Sequence, residues 1–503
     1  MELLCERKSA KIYQGEPWNL YEVKLPILNE EEKEMLSFIS DAVSNSYSAR
    51  DFQNVIFKDK KKTKITEKLQ ELIDSLKPYF NAISLEKYQS KIMSIISDFV
   101  NSQKEIKHTD AVQKEIYNII IGHGKLEYFL PDDELEEIMV NGYGKPIFVF
   151  DRNFGLCKTN VKYNTEEEIL ATIHKVSGFI GREIGSDTPV LDARLPDGSR
   201  VNATIPPASP MGATITVRKF RRRPYTITEI IENNTMTSEL AAFMWMCVEG
   251  MGLRPLNFVI SGGTGSGKTT TLNALSVFIP ERERVVTIED TLELNLYDRQ
   301  NWIQLEAKTI EGTADLNDLL KTSIRMRPDR ILVGEVRGKE ASTMFTAMDV
   351  GHQGMISTLH SNSAKETILR LRSEPMSVPL SMFVLLDMIM MQHRMHVAGK
   401  GVIRRVTQVS EISVMGDNIL LNDIYMLDRD ADVVRRTDIP IQIIEKFSYL
   451  TGKKIPEIKA ELKQRQAVLE HFVKNDIRDY TKIRDIVNDY ISDPEKTMKQ
   501  LKV

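Results

Sequence analysis

Cysteine and long apolar runs are both scarce in this sequence. The chain of 503 residues carries three cysteines, Cys5, Cys157 and Cys247. Three scattered thiols exclude a disulfide framework and a four-thiolate zinc site, and they indicate a reducing compartment. The most apolar stretch, 382–391, is short and contains Asp387, so it cannot cross a bilayer. These absences predict a cytoplasmic protein that contacts a membrane peripherally, through a partner or a surface.

An excess of charge of one sign is also missing. Lys and Arg number 67 and Asp and Glu number 71, which gives a formal net charge of −4. This balance argues against a dedicated nucleic-acid binder. The three consecutive arginines at 221–223 suggest a local basic patch. No nucleic-acid partner is therefore expected.

Changes of composition along the chain divide it into five segments. A length of 503 residues predicts about three structural units, at roughly 150 residues per domain. The segments are a Lys/Glu-rich helical region over 1–107, a mixed α+β domain over 108–223, a polar hinge linker over 224–238, an α/β domain over 239–430, and a charged helical tail over 431–503. The helix that follows the linker is predicted to begin with Ser238 as its cap.

The region 257–360 alternates short apolar runs with helical patterns, which is typical of a parallel α/β sheet. Strands are predicted at 257–261, 284–288, 330–333 and 355–358.

A complete phosphate-binding motif follows the first of these strands and opens a helix. It comprises Gly262, Gly263, Thr264, Gly265, Ser266, Gly267, Lys268 and Thr269, with Thr270 next in the helix. Glycines let backbone N–H groups turn inward around a phosphate, and the helix N-terminus adds its positive dipole end. Lys268 is expected to bridge the β- and γ-phosphates of ATP, while the Thr269 hydroxyl coordinates Mg²⁺.

Acidic residues follow two further predicted strands. Glu335 ends the apolar run that begins at Arg330, as a Walker B carboxylate does, and it is a candidate for holding Mg²⁺ or polarising the attacking water. Glu289, Asp290 and Glu293 follow the strand at 284–288, at the sheet edge where α/β ligand sites form. A buried strand with an exposed acid, and a solvated acidic loop, are the alternative interpretations. Thr269, Glu335 and Asp290 are the candidate metal ligands.

Two histidines, His352 and His360, bracket the strand at 355–358. No cysteine or third histidine accompanies them, so a zinc site is rejected. A phosphate- or interface-sensing role competes with the simpler interpretation of polar strand ends.

Four motifs thus stand in a fixed order: Walker A, an acidic cluster, Walker B and a histidine segment. Together they resemble the secretion ATPase superfamily that powers type II and type IV secretion, type IV pili and archaeal filaments. The phrases at 323–330, 334–337 and 358–362 also resemble this family, as do 191–203 and 215–220. The archaeal branch, with the archaellum motor ATPase and its pilus relatives, is the most similar, through 420–425 and the helical tail. The four-cysteine module of many type II and bacterial pilus members is missing.

This resemblance implies a RecA-like P-loop ATPase domain preceded by an α+β N-terminal domain and an N-terminal helical region. It implies catalytic roles for Glu335, Glu289, Glu293, Lys268, His352, His360 and Arg337. It further implies a homohexameric ring with nucleotide at the subunit boundaries, towards which Arg194, Arg200 and Arg218 supply positive charge. Surface or hairpin salt bridges are the alternative for these three arginines.

The expected function is Mg²⁺-dependent ATP hydrolysis that drives assembly, and rotation in the archaellum case, of a type-IV-pilus-like surface filament. A polytopic membrane platform protein and cytosolic accessory motor proteins are the implied partners. ATP closure is expected to pull the N-terminal domain onto the P-loop domain about the hinge at 224–238. Adhesion pilus assembly or type II/IV secretion is the first alternative. A nucleic-acid translocase and a nucleotide-gated scaffold with little turnover are the others.

Overall fold

A computed structural model describes residues 2–48, 64–79, 85–103, 105–220, 223–307, 314–397 and 401–503. The chain divides into two compact units, Met1–Arg222 and Arg223–Val503. Arg221 and Arg222 of the predicted basic patch lie outside the described residues. Within the described ranges, no helix combines the length and the apolar character needed to cross a membrane.

The described part of the first unit forms one nine-stranded sheet flanked by helices. Its strands are β1 (Leu3–Glu6), β2 (Ala10–Tyr13), β3 (Asn19–Val23), β4 (Leu135–Val140), β5 (Pro146–Asp151), β6 (Gly155–Lys162), β7 (Val190–Arg194), β8 (Arg200–Thr204) and β9 (Thr214–Arg218). Its helices are α1 (Glu30–Ser48), α2 (Lys64–Leu76), α3 (Leu85–Asn101), α4 (Thr109–Ile120) and α5 (Glu166–Phe179). The strand order is β1-β2-β3-β6-β5-β4-β9-β8-β7.

The prediction of a purely helical region over 1–107 is wrong at its start. Strands β1, β2 and β3 form a meander there, and β3 pairs in parallel with β6 of the α+β domain. Ala10 and Ile12 alternate with polar neighbours, as do Tyr21 and Val23, and all four are buried. This period of two is the strand signal, and the surrounding Lys/Glu-rich composition hides it in so short a segment.

The second unit contains a second nine-stranded sheet in its described residues. Its strands are β10 (Phe258–Ser261), β11 (Val285–Glu289), β12 (Trp302–Glu306), β13 (Arg330–Val336), β14 (Ile356–Leu359), β15 (Met388–Val397), β16 (Gly401–Met415), β17 (Asn418–Asp428) and β18 (Val433–Arg436). Its helices are α6 (Ile227–Glu232), α7 (Ser238–Glu249), α8 (Lys268–Leu275), α9 (Leu316–Ser323), α10 (Glu340–Asp349), α11 (Ala364–Arg372), α12 (Gln442–Thr451), α13 (Ile455–Lys474), α14 (Tyr480–Ser492) and α15 (Pro494–Leu501).

The second sheet is parallel on one side and antiparallel on the other. Its order is β12-β11-β13-β14-β10-β15-β16-β17-β18. The first six strands of this order run parallel, and β15 to β18 form antiparallel pairs. The predicted strands at 257–261, 284–288, 330–333 and 355–358 correspond to β10, β11, β13 and β14. The α/β fold class is confirmed, and the carboxyl ends of the parallel strands share one edge.

The segment 224–238 is not the polar linker that its composition predicts. It contains α6, whose N-cap Thr226 forms a reciprocal capping box with Glu229. Ile227 and Ile230 are buried in the same core as the P-loop strand. This packing makes α6 a folded element of the second unit and not a stretch of linker. The next helix, α7, is capped by Thr237 and not by the predicted Ser238.

The predicted tail, 431–503, is part of the core of the second unit. Strand β18 extends the sheet, and Phe472 of α13 and Tyr490 of α14 are fully buried in that core. The Trp245 ring of α7 stacks on Phe278 and lies 5.0 Å from the Tyr490 ring. The charged residues of these helices mark their outer faces, since an amphipathic helix buries an apolar stripe. The predicted separation of a linker and a tail from the ATPase domain is thus corrected, while the division of the first unit at residue 107 remains a prediction.

Candidate active site

The glycine-rich loop lies between β10 and α8, as its sequence context predicts. The strand ends at Ser261, and α8 begins at Lys268. Gly265 and Gly267 have φ values of 69° and 90°, in the left-handed region that residues with a Cβ rarely adopt. Thr269 and Thr270 occupy the first turn of α8 and are half-buried. The loop therefore has the backbone conformation and the helix N-terminus that phosphate binding requires.

The Lys268 side chain is buried against the loop itself. Its Nζ donates hydrogen bonds to the carbonyl oxygens of Gly262, at 2.9 Å, and Gly263, at 3.0 Å. Burial lowers the pKa of Lys268, and the charges of Glu335 and Glu293 oppose that shift. The charges of Lys268, Glu335 and Glu293 therefore influence one another at the edge of the sheet where the parallel strands end.

Glu335 stands near the end of β13 and is held by two basic side chains. The Nε and Nη2 atoms of Arg337 donate to its two carboxylate oxygens at 2.7 and 2.6 Å, and His360 Nε2 lies 3.1 Å from its Oε1. Burial tends to raise the pKa of Glu335, but the bonds from Arg337 and the charges of His360, Arg337 and Lys268 together hold that pKa below its ordinary value. Glu335 is therefore an ionised carboxylate that is paired with Arg337.

Arg337 also joins Glu335 to the acidic loop after β11. Its Nη1 lies 3.2 Å from Asp290 Oδ2. The pKa of Arg337 is raised by its bonds to Glu335, although burial opposes this. One guanidinium therefore connects the Walker B strand with the neighbouring acidic cluster, as the order of the motifs in the sequence suggests.

The donor set at this edge suits Mg²⁺. Thr269, Asp290 and Glu335 present hydroxyl and carboxylate oxygens, the ligand atoms that this ion prefers. No group of three or more His, Cys, Asp or Glu residues with metal-binding geometry occurs in the described ranges. Mg²⁺ does not need such a cage, because it usually keeps several waters and binds one or two carboxylates plus substrate phosphates.

Glu289 differs from the other predicted acids because it is buried. Its Oε1 accepts hydrogen bonds from the backbone N–H groups of Glu293, at 2.9 Å, and Leu294, at 3.0 Å. A Cβ on Gly334 would lie 2.7 Å from Glu289 Cγ, so the glycine makes room for this side chain. Burial raises the pKa of Glu289 to about 8, against the opposing effect of the two backbone bonds. Glu289 thus shapes the loop that carries Asp290 and Glu293, and its carboxyl is mostly neutral at pH 7.

The two predicted histidines lie at opposite edges of the sheet. β14 runs parallel to β10, with Ile356 paired to Phe258. His360 follows β14 at the P-loop edge, whereas His352 precedes β14 at the edge where the parallel strands begin. The grouping of His352 with the catalytic cluster is therefore wrong within one copy of the chain, because the direction of the strand separates it from His360.

The three arginines of the first unit form a row across its sheet. Arg194 on β7 pairs with Arg200 on β8, which pairs with Arg218 on β9. Residues directly opposite on antiparallel strands share one face, so the row concentrates positive charge. Arg200 also forms an ion pair with Asp192 at 3.1 Å, the alternative foreseen for an exposed hairpin. A role towards nucleotide remains a prediction for all three.

The structure adds three residues that sequence patterns did not indicate: Gln392, Arg394 and Arg404. They lie on β15 and β16, next to the P-loop. No local motif marks them, because their closeness to the loop follows from the pairing of β15 with β10.

Comparison with known proteins places most of the chain in one family. A sequence model of the family described as Type II/IV secretion system protein matches residues 122–406. An uncharacterized protein of Methanocaldococcus jannaschii is 41% identical over 305 residues, which cover 59% of this chain and 42% of that protein. Type IV secretion system protein PtlH of Bordetella pertussis is 32% identical over 323 residues, which cover 56% of this chain and 92% of that protein. Among solved structures, the VirB11 ATPase of the Brucella suis type IV secretion system matches 57% of this chain and 92% of its own, with 26% identity and a TM-score of 0.29.

Proposed function

This chain belongs to the type II/IV secretion system protein family and is an ATPase of that class, and from this premise we propose that it is a Mg²⁺-dependent motor that drives assembly of a type-IV-pilus-like surface filament. The observation that carries the proposal is that Lys268, Glu335 and Arg337 lie close together beside the P-loop. A phosphate cradle, a buried cation and an ionised carboxylate are the parts that phosphoryl transfer to water requires.

Each part of the site has a role in this proposal. The loop from Gly262 to Thr270 binds the phosphates of ATP, with Lys268 on the β- and γ-phosphates. Thr269, Asp290 and Glu335 would hold Mg²⁺, which would neutralise charge on the phosphate oxygens. Glu335, which is ionised, would orient or deprotonate the attacking water, while Glu289 holds the acidic loop in place. Glu293 and His360 would adjust the charge around Lys268 and Glu335.

The larger assembly is part of the same proposal. The chain would form a homohexameric ring with nucleotide at each subunit boundary, where Arg194, Arg200 and Arg218 of a neighbouring copy would face the phosphates. Such a ring would act on a polytopic platform protein at the cytoplasmic face of the membrane, together with cytosolic accessory proteins. The archaeal relative and the resemblance in 420–425 favour an archaeal filament, and the archaellum is the first choice.

A second function, transport through a type IV secretion machine, has one specific observation in its favour. The match to PtlH, named as a type IV secretion system protein, extends over 92% of that protein. In this case the same ATPase cycle would move a secreted substrate and not a filament subunit.

The decisive experiment combines an assay of the purified chain with a test in the native organism. Lys268→Ala should abolish ATP hydrolysis, because the lysine neutralises charge on the transferred phosphate. Lys459→Ala, an exposed lysine on α13, is the matched control and should hydrolyse ATP as the parent does. Near-normal hydrolysis by Lys268→Ala would contradict the proposed site, and DNA-stimulated hydrolysis would favour a nucleic-acid translocase.

In the organism, the phenotype of Lys268→Ala distinguishes the functions. Loss of swimming together with the motility filament would identify the archaellum motor. Intact swimming without thin adhesive filaments would identify a pilus-assembly ATPase. Persistence of every filament, with a secreted protein lost from the medium, would support secretion and contradict the filament proposal.

A further inference from the structure

The β15–β16 hairpin runs along the P-loop. β15 pairs in parallel with β10, and Met391 lies opposite Ser261, the last residue of that strand. The residues after Met391 therefore continue beside the loop that follows Ser261. β16 returns antiparallel to β15, which places Arg404 directly opposite Arg394.

Two side chains of this hairpin hold carbonyl groups of the P-loop. Gln392 is fully buried, and its Nε2 donates to the carbonyl oxygen of Ser266 at 2.8 Å. Arg404 Nε donates to the carbonyl oxygen of Gly265 at 3.0 Å. In an anion-binding loop, successive N–H groups converge on the anion while the carbonyls point away. These two bonds fix consecutive carbonyls on the hairpin side and so favour the conformation in which the N–H groups face a phosphate.

The hairpin also packs against the loop where two glycines leave no space for a side chain. A Cβ on Gly262 would lie 2.0 Å from the carbonyl oxygen of Gln392. A Cβ on Gly267 would lie 3.0 Å from Gln392 Nε2 and 3.1 Å from Arg404 Cδ. The glycines of the motif thus serve this contact as well as the turn of the loop.

Arg394 and Arg404 place two like charges opposite one another beside the loop. Like charges directly across an antiparallel pair are destabilising. Neither guanidinium forms an ion pair with a carboxylate among the residues that the structure describes. The Arg394 guanidinium Nη1 lies 3.5 Å from the position that a Cβ on Gly265 would occupy. A bound polyphosphate would offset the repulsion between these two cations.

We propose that Arg404 is a positioning residue of the nucleotide site, and that Arg404 and Arg394 together supply a second positive element that raises the affinity of the P-loop for a nucleotide polyphosphate. This inference rests on the proposed function, since it assumes that the loop binds ATP and ADP. Gln392 is the uncharged member of the same strap, which we define as Gln392, Arg394 and Arg404.

The test is the affinity of the full chain for ADP and for inorganic pyrophosphate, measured by calorimetry at several salt concentrations. Arg404→Ala should raise both Kd values about tenfold, because a charge-assisted hydrogen bond to the loop is lost. Arg394→Ala should raise them about threefold and weaken their salt dependence, because a screened charge is removed. Arg404→Lys keeps the charge and should recover about half of the lost affinity on a logarithmic scale. In each strap variant kcat should stay within about threefold of the parent value, since the strap acts on binding.

The control is Arg435→Ala, which removes an exposed arginine of β18 that is paired with Asp428, and it should leave Kd unchanged. If the strap variants melt at a lower temperature but show no change in Kd or in its salt dependence, the inference is overturned, because the strap then only stabilises the fold. If Arg404→Ala does not melt cooperatively, Arg404→Lys and Arg394→Ala decide the matter. Parent-like affinity in those two, with an inactive Lys268→Ala, would refute the strap and leave the proposed function intact. Failure of the parent chain to bind ADP would refute both.

Discussion

At the scale of single residues, the site separates two glutamates that look alike in the sequence. Glu335 carries a lowered pKa because basic groups surround it, although burial opposes the shift. Glu289 carries a pKa raised to about 8 because it is buried. Their environments, and not their motifs, therefore assign them to different protonation states at pH 7.

This difference predicts opposite pH dependences of stability for two isosteric variants. The protonated carboxyl of Glu289 stabilises the folded state relative to the ionised carboxylate. This contribution to the free energy of unfolding is fully present below the ordinary pKa of 4.5 and is lost as the pH rises through about 8. The Glu289→Gln side chain cannot ionise, so the variant does not lose this stability. From pH 5 to pH 9 its melting temperature should therefore rise relative to that of the parent by about 2 °C or more. Thermal unfolding followed by circular dichroism over that range measures the difference.

Glu335→Gln is the matched comparison. The lowered pKa of Glu335 contributes stability above its ordinary pKa of 4.5 that is lost as the pH falls. This variant should therefore melt below the parent at pH 7 and approach it as the medium becomes acidic. Parallel pH profiles for the two variants would contradict the assignment of charge states.

At the scale of elements, a buried ion pair between Arg465 and Glu249 joins α13 to α7. Arg465 lies 3.1 Å from Glu249 Oε2 with both side chains 4% exposed, and its guanidinium stands 5.0 Å from the Trp245 ring and 5.4 Å from the Tyr490 ring. Sequence patterns present α13 as a charged tail helix. Its buried arginine instead shows that α13 packs against the same core as the P-loop strand.

Removal of this arginine should strongly destabilise the folded state. Arg465→Ala leaves the Glu249 carboxylate buried without its counterion, a change that costs about 3–5 kcal/mol, and it should lower the melting temperature by roughly 10 °C. Arg435→Ala, at an exposed pair with Asp428, should change it by about 2 °C or less. Combining Arg465→Met with Glu249→Gln should restore much of the loss, since no charge then stays buried. A melting temperature of Arg465→Ala equal to that of the parent would show that the pair carries no net stability.

In the molecule as a whole, each of the four apolar cores formed by the described residues lies within one unit. Two contain residues of the first unit alone, and the other two contain residues of the second unit alone. Domains with their own cores can fold separately. We therefore predict that the units on either side of the boundary between Arg222 and Arg223 fold independently.

Two fragments test this independence. Residues 223–503, expressed alone, should unfold cooperatively and bind ADP, because the P-loop, the strap and the core that supports them are all included. Residues 223–454 keep the P-loop but lack α13, α14 and α15, and they should fail to fold because Phe472 and Tyr490 no longer cover the core. Cooperative melting of the shorter fragment would contradict the structural role assigned to these helices.

Features that depend on local backbone chemistry can be predicted from the sequence alone. The P-loop could be predicted because its glycines need positive φ and its neighbours are an apolar strand and a helix start. The strands β10, β11, β13 and β14 could be predicted because short apolar runs alternate with helical patterns. Helix α6 is not predicted, because the polar composition of 224–238 suggests a linker, although Thr226 and Glu229 carry a local capping signal.

Which residues lie next to one another in the site depends on tertiary packing and cannot be predicted from local patterns. Gln392 and Arg404 meet the P-loop from more than 120 positions away in the chain. Glu289 is buried while Glu335 is paired, and His352 is carried to the far edge by the direction of β14. The physical reason is that burial, strand order and register arise from packing between distant segments, so no short stretch of sequence contains the partners that set a side chain's charge or position.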